Sequence, residues 1–205
     1  MKVNVASLSD FGIVIGMKDT SSLLRLGIVG QPSSGKDTVA SYMVDTHSFV
    51  HISTGDSLRF YAAEHGLGDP TRELLRDIAN TLRAEHGADY LARLATQHEA
   101  YRLVISGLRT TAEAEFIQAQ GGKIIAVEAT PRHRYNRALD RGRVGEDISF
   151  ERFCELVQIE AIAAANNPIV QNVNAVVAMA DVFIANDGTL HALHAQIDKL
   201  LEDLA

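Results

Sequence analysis

The run Leu24-Arg25-Leu26-Gly27-Ile28-Val29 passes directly into Gly30-Gln31-Pro32-Ser33-Ser34-Gly35-Lys36-Asp37-Thr38, and a helical pattern carrying Val39, Tyr42 and Met43 follows. A strand, a glycine-bracketed loop ending in lysine and a helix, in that order, form a cradle for phosphate. The glycines let the backbone turn tightly, so that successive amide N–H groups point inward and the helix presents its positive end to the same anion. Lys36 then reaches the outer phosphates of a nucleotide, where charge shifts during transfer. Asp37 stands where a hydroxyl residue is usual, and the hydroxyl comes one position later at Thr38. Asp37 either binds the water shell of a metal or begins the helix favourably.

The rest of the chain repeats the strand-then-helix theme. Leu24 to Val29, Phe49 to Ser53, Leu103 to Ser106, Ile124 to Glu128 and Val182 to Ala185 are short, nearly continuous apolar runs. That is the pattern of parallel strands covered on both faces. Helical patterns lie between them. Leu190, Leu193, Ile197, Leu200, Leu201 and Leu204 make one stripe after the turn Asn186-Asp187-Gly188-Thr189, and Pro70 to Tyr101 reads as helical with a break near Gly87. With 205 residues and no repeat or Pro/Ser-rich linker, one folding unit is expected over residues 24–205, with an extension over 1–23.

Hydrophobic residues at 46% and charged residues at 22% describe an ordinary globular chain. The net charge of −7 and pI near 5.6 argue against a nucleic-acid-coating face, yet allow a local basic pocket for a small anion. Cys154 is the single cysteine, so no intramolecular disulfide can form, and a reducing, cytoplasmic setting is expected. Phe11 to Gly16 is too short to span a bilayer and reads as an added strand or hairpin. No membrane and no nucleic-acid partner is expected. The oligomeric state is open, with a homo-oligomer among the options.

Two further segments carry acceptor chemistry. In His51-Ile52-Ser53-Thr54-Gly55-Asp56-Ser57-Leu58-Arg59 the chain resembles adenylate kinase, whose I-S-T-G-D-x-L-R stretch begins the acceptor-binding region. The resemblance implies that Thr54, Asp56 and Arg59 meet the acceptor, and a guanidinium can clamp its phosphate bidentately. Ser53, Thr54 and Asp56 are equally suited to cap a helix beginning near Ser57. Ser106-Gly107-Leu108-Arg109 looks like the D-G-x-x-R segment of the same kinases, which gives Arg109 the acceptor phosphate and leaves Ser106 where an aspartate is usual. Glu113 and Glu115 read as solvated helix glutamates, with contact to an acceptor base as the alternative.

After the fourth strand, Pro131 suits a first helical turn, and Arg134, Arg137 and Arg141 fall on one helical face. Like charges so placed call for an anion, and the phosphoryl-transfer transition state supplies one. Pairing with Asp140, Glu146 and Asp147 is the alternative, and Gly142 and Gly145 read as hinges. This element, the stretch from Phe150 to Glu160 and the closing Ala180 to Leu190 resemble dephospho-CoA kinase and its relatives. The resemblance implies that Asn186, Asp187 and Gly188 lie beside the adenine; the alternative is a bare turn that needs no ligand. The eight scattered histidines read as surface or capping residues, and Cys154 as a packing residue.

The expectation is a P-loop nucleotide kinase of the adenylate kinase and dephospho-CoA kinase-like group, on a three-layer α/β P-loop NTPase fold. It would have a five-stranded parallel sheet, a helical acceptor-binding insertion over about residues 53–100 and a short lid over about 131–148. ATP would be held by Gly30, Gln31, Pro32, Ser33, Ser34, Gly35, Lys36, Asp37 and Thr38, and Mg²⁺ by Asp37 and Thr38. Lys36, Arg109, Arg137 and Arg141 would serve catalysis. A nucleoside or deoxynucleoside monophosphate is the first expected acceptor and dephospho-CoA the second. An ATP-binding or ATP-hydrolysing regulatory protein is the alternative that Ser106 motivates.

Overall fold

A computed structural model describes residues 23–68, 70–142, 148–164 and 171–204. The strand or hairpin expected at residues 11–16 and the hinge at Gly145 lie outside them, as do Glu146 and Asp147. Along the described chain come β1 (Leu24–Val29), α1 (Lys36–His47), β2 (Val50–Ser53), α2 (Thr54–Glu64), α3 (Arg72–His86) and α4 (Tyr90–Ala95). Then follow β3 (Arg102–Ser106), α5 (Thr111–Ala119), β4 (Lys123–Glu128), α6 (Pro131–Arg141), α7 (Phe150–Ala164), α8 (Val173–Ala178), β5 (Val182–Ala185) and α9 (Leu190–Asp203).

The strands form one all-parallel sheet in the order β2-β3-β1-β4-β5. β1 sits at its centre because both of its faces are apolar or small. Leu26 and Ile28 pack with Val39 and Met43 of α1 and Leu193 and Ile197 of α9. Val29 turns the other way, toward Ala114 and Ile117 of α5 and Val176 of α8. This is the three-layer α/β arrangement read from the sequence.

Strand and helix starts shift slightly from the expected ones. Phe49 belongs to the core rather than to β2, while β3 and β4 each begin one residue earlier, at Arg102 and Lys123. The helix expected near Ser57 begins at Thr54, because the Ser53 hydroxyl already accepts from the Asp56 amide. Between β2 and β3, helices α2, α3 and α4 bury a small core of their own, from Leu58 and Ala62 to Ile78, Leu82 and Leu91.

Helices α1 and α9 are also joined by polar groups. Tyr42 Oη donates to Asp198 at 2.9 Å, and His47 Nε2 lies 2.8 Å from the same carboxylate. The Tyr42 ring stacks on His194 at 3.7 Å between centroids. These hydrogen bonds, that from His47 first, hold the Asp198 carboxyl below its ordinary pKa.

Leu26 is fully buried between α1 and α9. Leu26→Ala is expected to lower unfolding free energy by about 3 kcal/mol through lost burial and a residual cavity, measured as a shift in the urea midpoint at unchanged slope. A loss below about 1 kcal/mol would show that β1 is not the packing centre.

Candidate functional site

The loop from Gly30 to Gly35 leaves β1 at the C-terminal edge of the sheet and enters α1 at Lys36. Gly35 has φ 102°, a left-handed conformation that suits glycine, and a Cβ there would fall on the Asn186 side-chain amide. That amide donates to the Ser34 carbonyl at 2.8 Å, so the end of β5 grips the loop directly. Lys36 Nζ donates to the Gln31 carbonyl at 3.0 Å across the loop. Asp37 and Thr38 are exposed on the first turn of α1.

Arginines from α6 converge on the same loop. Arg137 donates through Nη2 to the Asn186 carbonyl at 2.6 Å and through Nη1 to the Ser34 carbonyl at 3.3 Å. Arg141 donates to Ser33 Oγ at 3.2 Å. Arg134 is buried, with its guanidinium 5.6 Å from the Phe153 ring, and burial lowers its pKa from the ordinary arginine value. A cavity of about 120 Å³ opens beside the loop, lined by Gly30, Gln31, Ser34, Val127 to Ala129, Arg134, Asn174 and Val177. Ser34 Oγ and Arg134 Nη1 are buried with no hydrogen-bond partner among the described residues. Gln31 also donates to the Asn174 side chain of α8.

The summed effect falls on Lys36. Burial first, then the nearby Arg109 guanidinium, lower its pKa to about 8, with Arg141 and Arg134 adding and Asp37 opposing. Lys36, Arg109, Arg134 and Arg141, from three separate stretches of chain, are thus within electrostatic reach of one another. Arg59 pairs with Asp56 at 2.7 Å, both exposed on α2. The Thr54 hydroxyl donates to the Gly107 carbonyl at 2.9 Å. Gly107 has φ 87°, and a Cβ on it would strike Thr54 Oγ1.

Two of the three residues expected beside the adenine are engaged within the protein. Asn186 holds the loop, while Asp187 accepts from the Thr130 amide and pairs with His133, both at 2.7 Å. Gly188 follows, exposed, before the α9 cap.

Glu113 corrects the sequence reading. It is fully buried rather than solvated, because the Arg83 guanidinium meets it at 2.8 Å. Glu115 is exposed, as expected. His51, read as a surface or capping residue, is half-buried with Nε2 2.8 Å from Ser106 Oγ. Burial lowers its pKa against the pull of Asp37 and Asp56. Arg83, Asn174 and the His51–Ser106 pair escaped the sequence reading. The one available signal was Thr110 with Glu113 three residues later, the spacing of a helix-capping box.

Lys36 predicts a pH dependence. Its folded value lies below the ordinary 10.5, so the ligand-free protein bears the full cost of charging it below about pH 8. That cost is relieved as pH rises from about 8 toward 10.5. An anion in the loop restores the charge, so binding takes up a proton above pH 8. Affinity for a fluorescent ATP analogue is expected to fall as pH rises through 8, approaching tenfold per unit by about pH 9, and Lys36→Met should flatten the slope. A flat profile in the unmodified protein would place Lys36 outside the anion site. Asn186→Ala removes a buried donor from the Ser34 carbonyl, and a loss of about 1–2 kcal/mol is expected in denaturant unfolding.

The comparisons with known proteins agree with this architecture. The chain matches a family described as an AAA domain over residues 29–153. A UPF0200 protein of Hyperthermus butylicus is 31% identical over 183 residues, covering 86% of this chain and 92% of its own length. One from Methanoregula boonei is 30% identical over 185 residues, covering 87% and 96%. Among solved structures, the shikimate kinase of Bacteroides thetaiotaomicron superposes with a TM-score of 0.57 at 15% identity, covering 87% of this chain and 98% of its own. TT1252 from Thermus thermophilus superposes with a TM-score of 0.56 at 18% identity, covering 89% and 98%. At those identities the likeness is one of fold, and it is the P-loop kinase-like fold. Among the described residues no helix is long and apolar enough to cross a membrane. With its loop, sheet order and relatives all in agreement, the chain belongs to the UPF0200 family and carries an AAA-type P-loop domain.

Proposed function

We propose that this protein transfers the γ-phosphoryl group of ATP to a small phosphorylated acceptor, a nucleoside or deoxynucleoside monophosphate first and dephospho-CoA second. The observation that carries the reading is the electrostatic surrounding of Lys36, with three guanidiniums set against one carboxylate. Cations gathered at such a density repel one another unless an anion arrives, and a polyphosphate in the loop is the anion that fits.

In this reading Lys36 and the loop amides hold the β- and γ-phosphates. Arg137 and Arg141 exchange their loop partners for phosphate oxygens, and residues 131–148 act as the lid that excludes water. Arg109 and Arg59 fix the acceptor, with residues 53–100 as its binding region. The acceptor oxygen attacks in line, its bond to the γ-phosphorus forms as the bond to the ADP oxygen breaks, and no covalent enzyme intermediate intervenes. Asp37 and Thr38 offer hard oxygen donors on an exposed helix turn, a sparse set that suits an ion keeping most of its waters. Mg²⁺ held there would neutralise phosphate charge.

One observation favours a slower, regulatory ATPase. The position where acceptor kinases of the resembled group carry aspartate is Ser106, whose hydroxyl is engaged by His51. A coupled ADP-production assay over a panel of monophosphates and dephospho-CoA separates the two readings. Acceptor-dependent turnover is expected, and ADP release indifferent to every acceptor would replace the kinase with the ATPase. Arg109→Ala is expected to raise acceptor KM or lower kcat at least tenfold, by about 1.4 kcal/mol or more, with a much smaller change in ATP affinity at pH 7, where Lys36 is already charged. Unaltered acceptor kinetics would remove Arg109 from the site.

A further inference from the structure

We propose that Arg83, on the last turn of α3, is a positioning residue for Arg109: through Glu113 it fixes the backbone of the turn that carries this arginine. That Arg109 meets an acceptor phosphate rests on the proposed function. The coupling of Arg83 to the turn is separable from that reading and can be measured without any acceptor.

Glu113 divides its carboxylate between two tasks. Oε1 accepts from Arg83 Nε at 2.9 Å and Nη2 at 2.8 Å. Oε2 accepts from the Arg109 amide at 2.7 Å and the Thr110 amide at 3.3 Å. The two side chains are 1% and 0% exposed. A glutamate at this capping position could serve the Thr110 amide from the surface with no partner at all. Its burial and its extra bond to the Arg109 amide are what Arg83 adds.

Stability alone does not account for the pair. Desolvating two charges offsets much of their attraction, and apolar residues of similar size often fill such a place at equal or better stability. Arg83 Nη1 is moreover buried without a partner among the described residues. What the pair does supply is position. The other ties on this turn point the same way: Thr54 Oγ1 donates to the Gly107 carbonyl at 2.9 Å, and Thr110 Oγ1 to the Ala88 carbonyl at 2.8 Å. All three ties come from the helical segment between β2 and β3. From the opposite side the Asn172 amide donates to the Arg109 carbonyl at 2.7 Å. Of these, only the Arg83 route reaches the Arg109 amide.

Arg83→Met keeps the volume and removes the charge, leaving Glu113 free to abandon the turn. Amide hydrogen exchange is expected to speed by roughly tenfold or more at Arg109 and Thr110, with β1 and β4 amides unchanged. If the variant does not fold, Arg83→Lys keeps the charge with a single-point grip and is read the same way, with a smaller acceleration of about threefold. A folded variant with both amides as protected as before, or one that accelerates uniformly across the molecule, overturns the proposal. A second readout uses AMP as acceptor: Arg83→Met should raise its KM with ATP affinity unchanged, and should add less than about twofold in an Arg109→Met background. Equal losses in both backgrounds would mean that Arg83 acts by another route. If no acceptor in the panel is turned over by the unmodified protein, the proposed function fails and the exchange result still decides the role of Arg83.

Discussion

Mutual repulsion among Lys36, Arg109, Arg134 and Arg141 has to be resisted before any ligand arrives, and much of the polar structure around the loop serves that end. The Gln31 carbonyl accepts from Lys36, the Ser33 hydroxyl from Arg141, and the Ser34 carbonyl from Arg137 and Asn186. Neutral oxygens of the loop thus spread the positive charge without cancelling it. Burial first and these neighbouring guanidiniums after it lower the Lys36 pKa, and Arg134 Nη1 is buried with no hydrogen-bond partner among the described residues. The loop thus combines a cluster of cations with the small cavity that opens beside it.

The two sides of the loop are supported differently. The turn bearing Arg109 is tied through Gly107, Thr110 and Glu113 to buried or backbone partners in the segment between β2 and β3. Arg137 and Arg141 of α6 instead meet the loop through side-chain bonds to the Ser34 carbonyl and the Ser33 hydroxyl, and α6 is capped by Gly142. Under the proposed function, the α6 bonds to loop oxygens are the ones that would be exchanged for bonds to phosphate oxygens.

The central strands β1, β3 and β4 were legible because burial on both faces leaves nearly continuous apolar runs, and the loop because its glycines and lysine have a local physical reason. The convergence of Arg137 and Arg141 followed from helical spacing plus the chemistry of phosphate. Most of the missed features depend on partners remote in sequence. Glu113 reads as a surface residue until Arg83, thirty positions earlier, is placed beside it. Arg134 shares its face with Arg137, yet the Phe153 ring of α7 takes it into the interior. His51 meets Ser106 only because β2 pairs with β3. Even the start of α2 was misplaced for a local reason, since Ser53 caps earlier than the Ser57 reading allowed.

The bonds of Tyr42 and His47 to Asp198, with the stacking of Tyr42 on His194, fasten α1 to α9. A helix dipole is a vector, and its use to an anion depends on the direction of the axis as much as on the terminal amides. By holding the C-terminal half of α1, α9 sets where the opposite, positive pole points. Helix α9 thereby acts as an alignment device for the positive pole at the far end of α1.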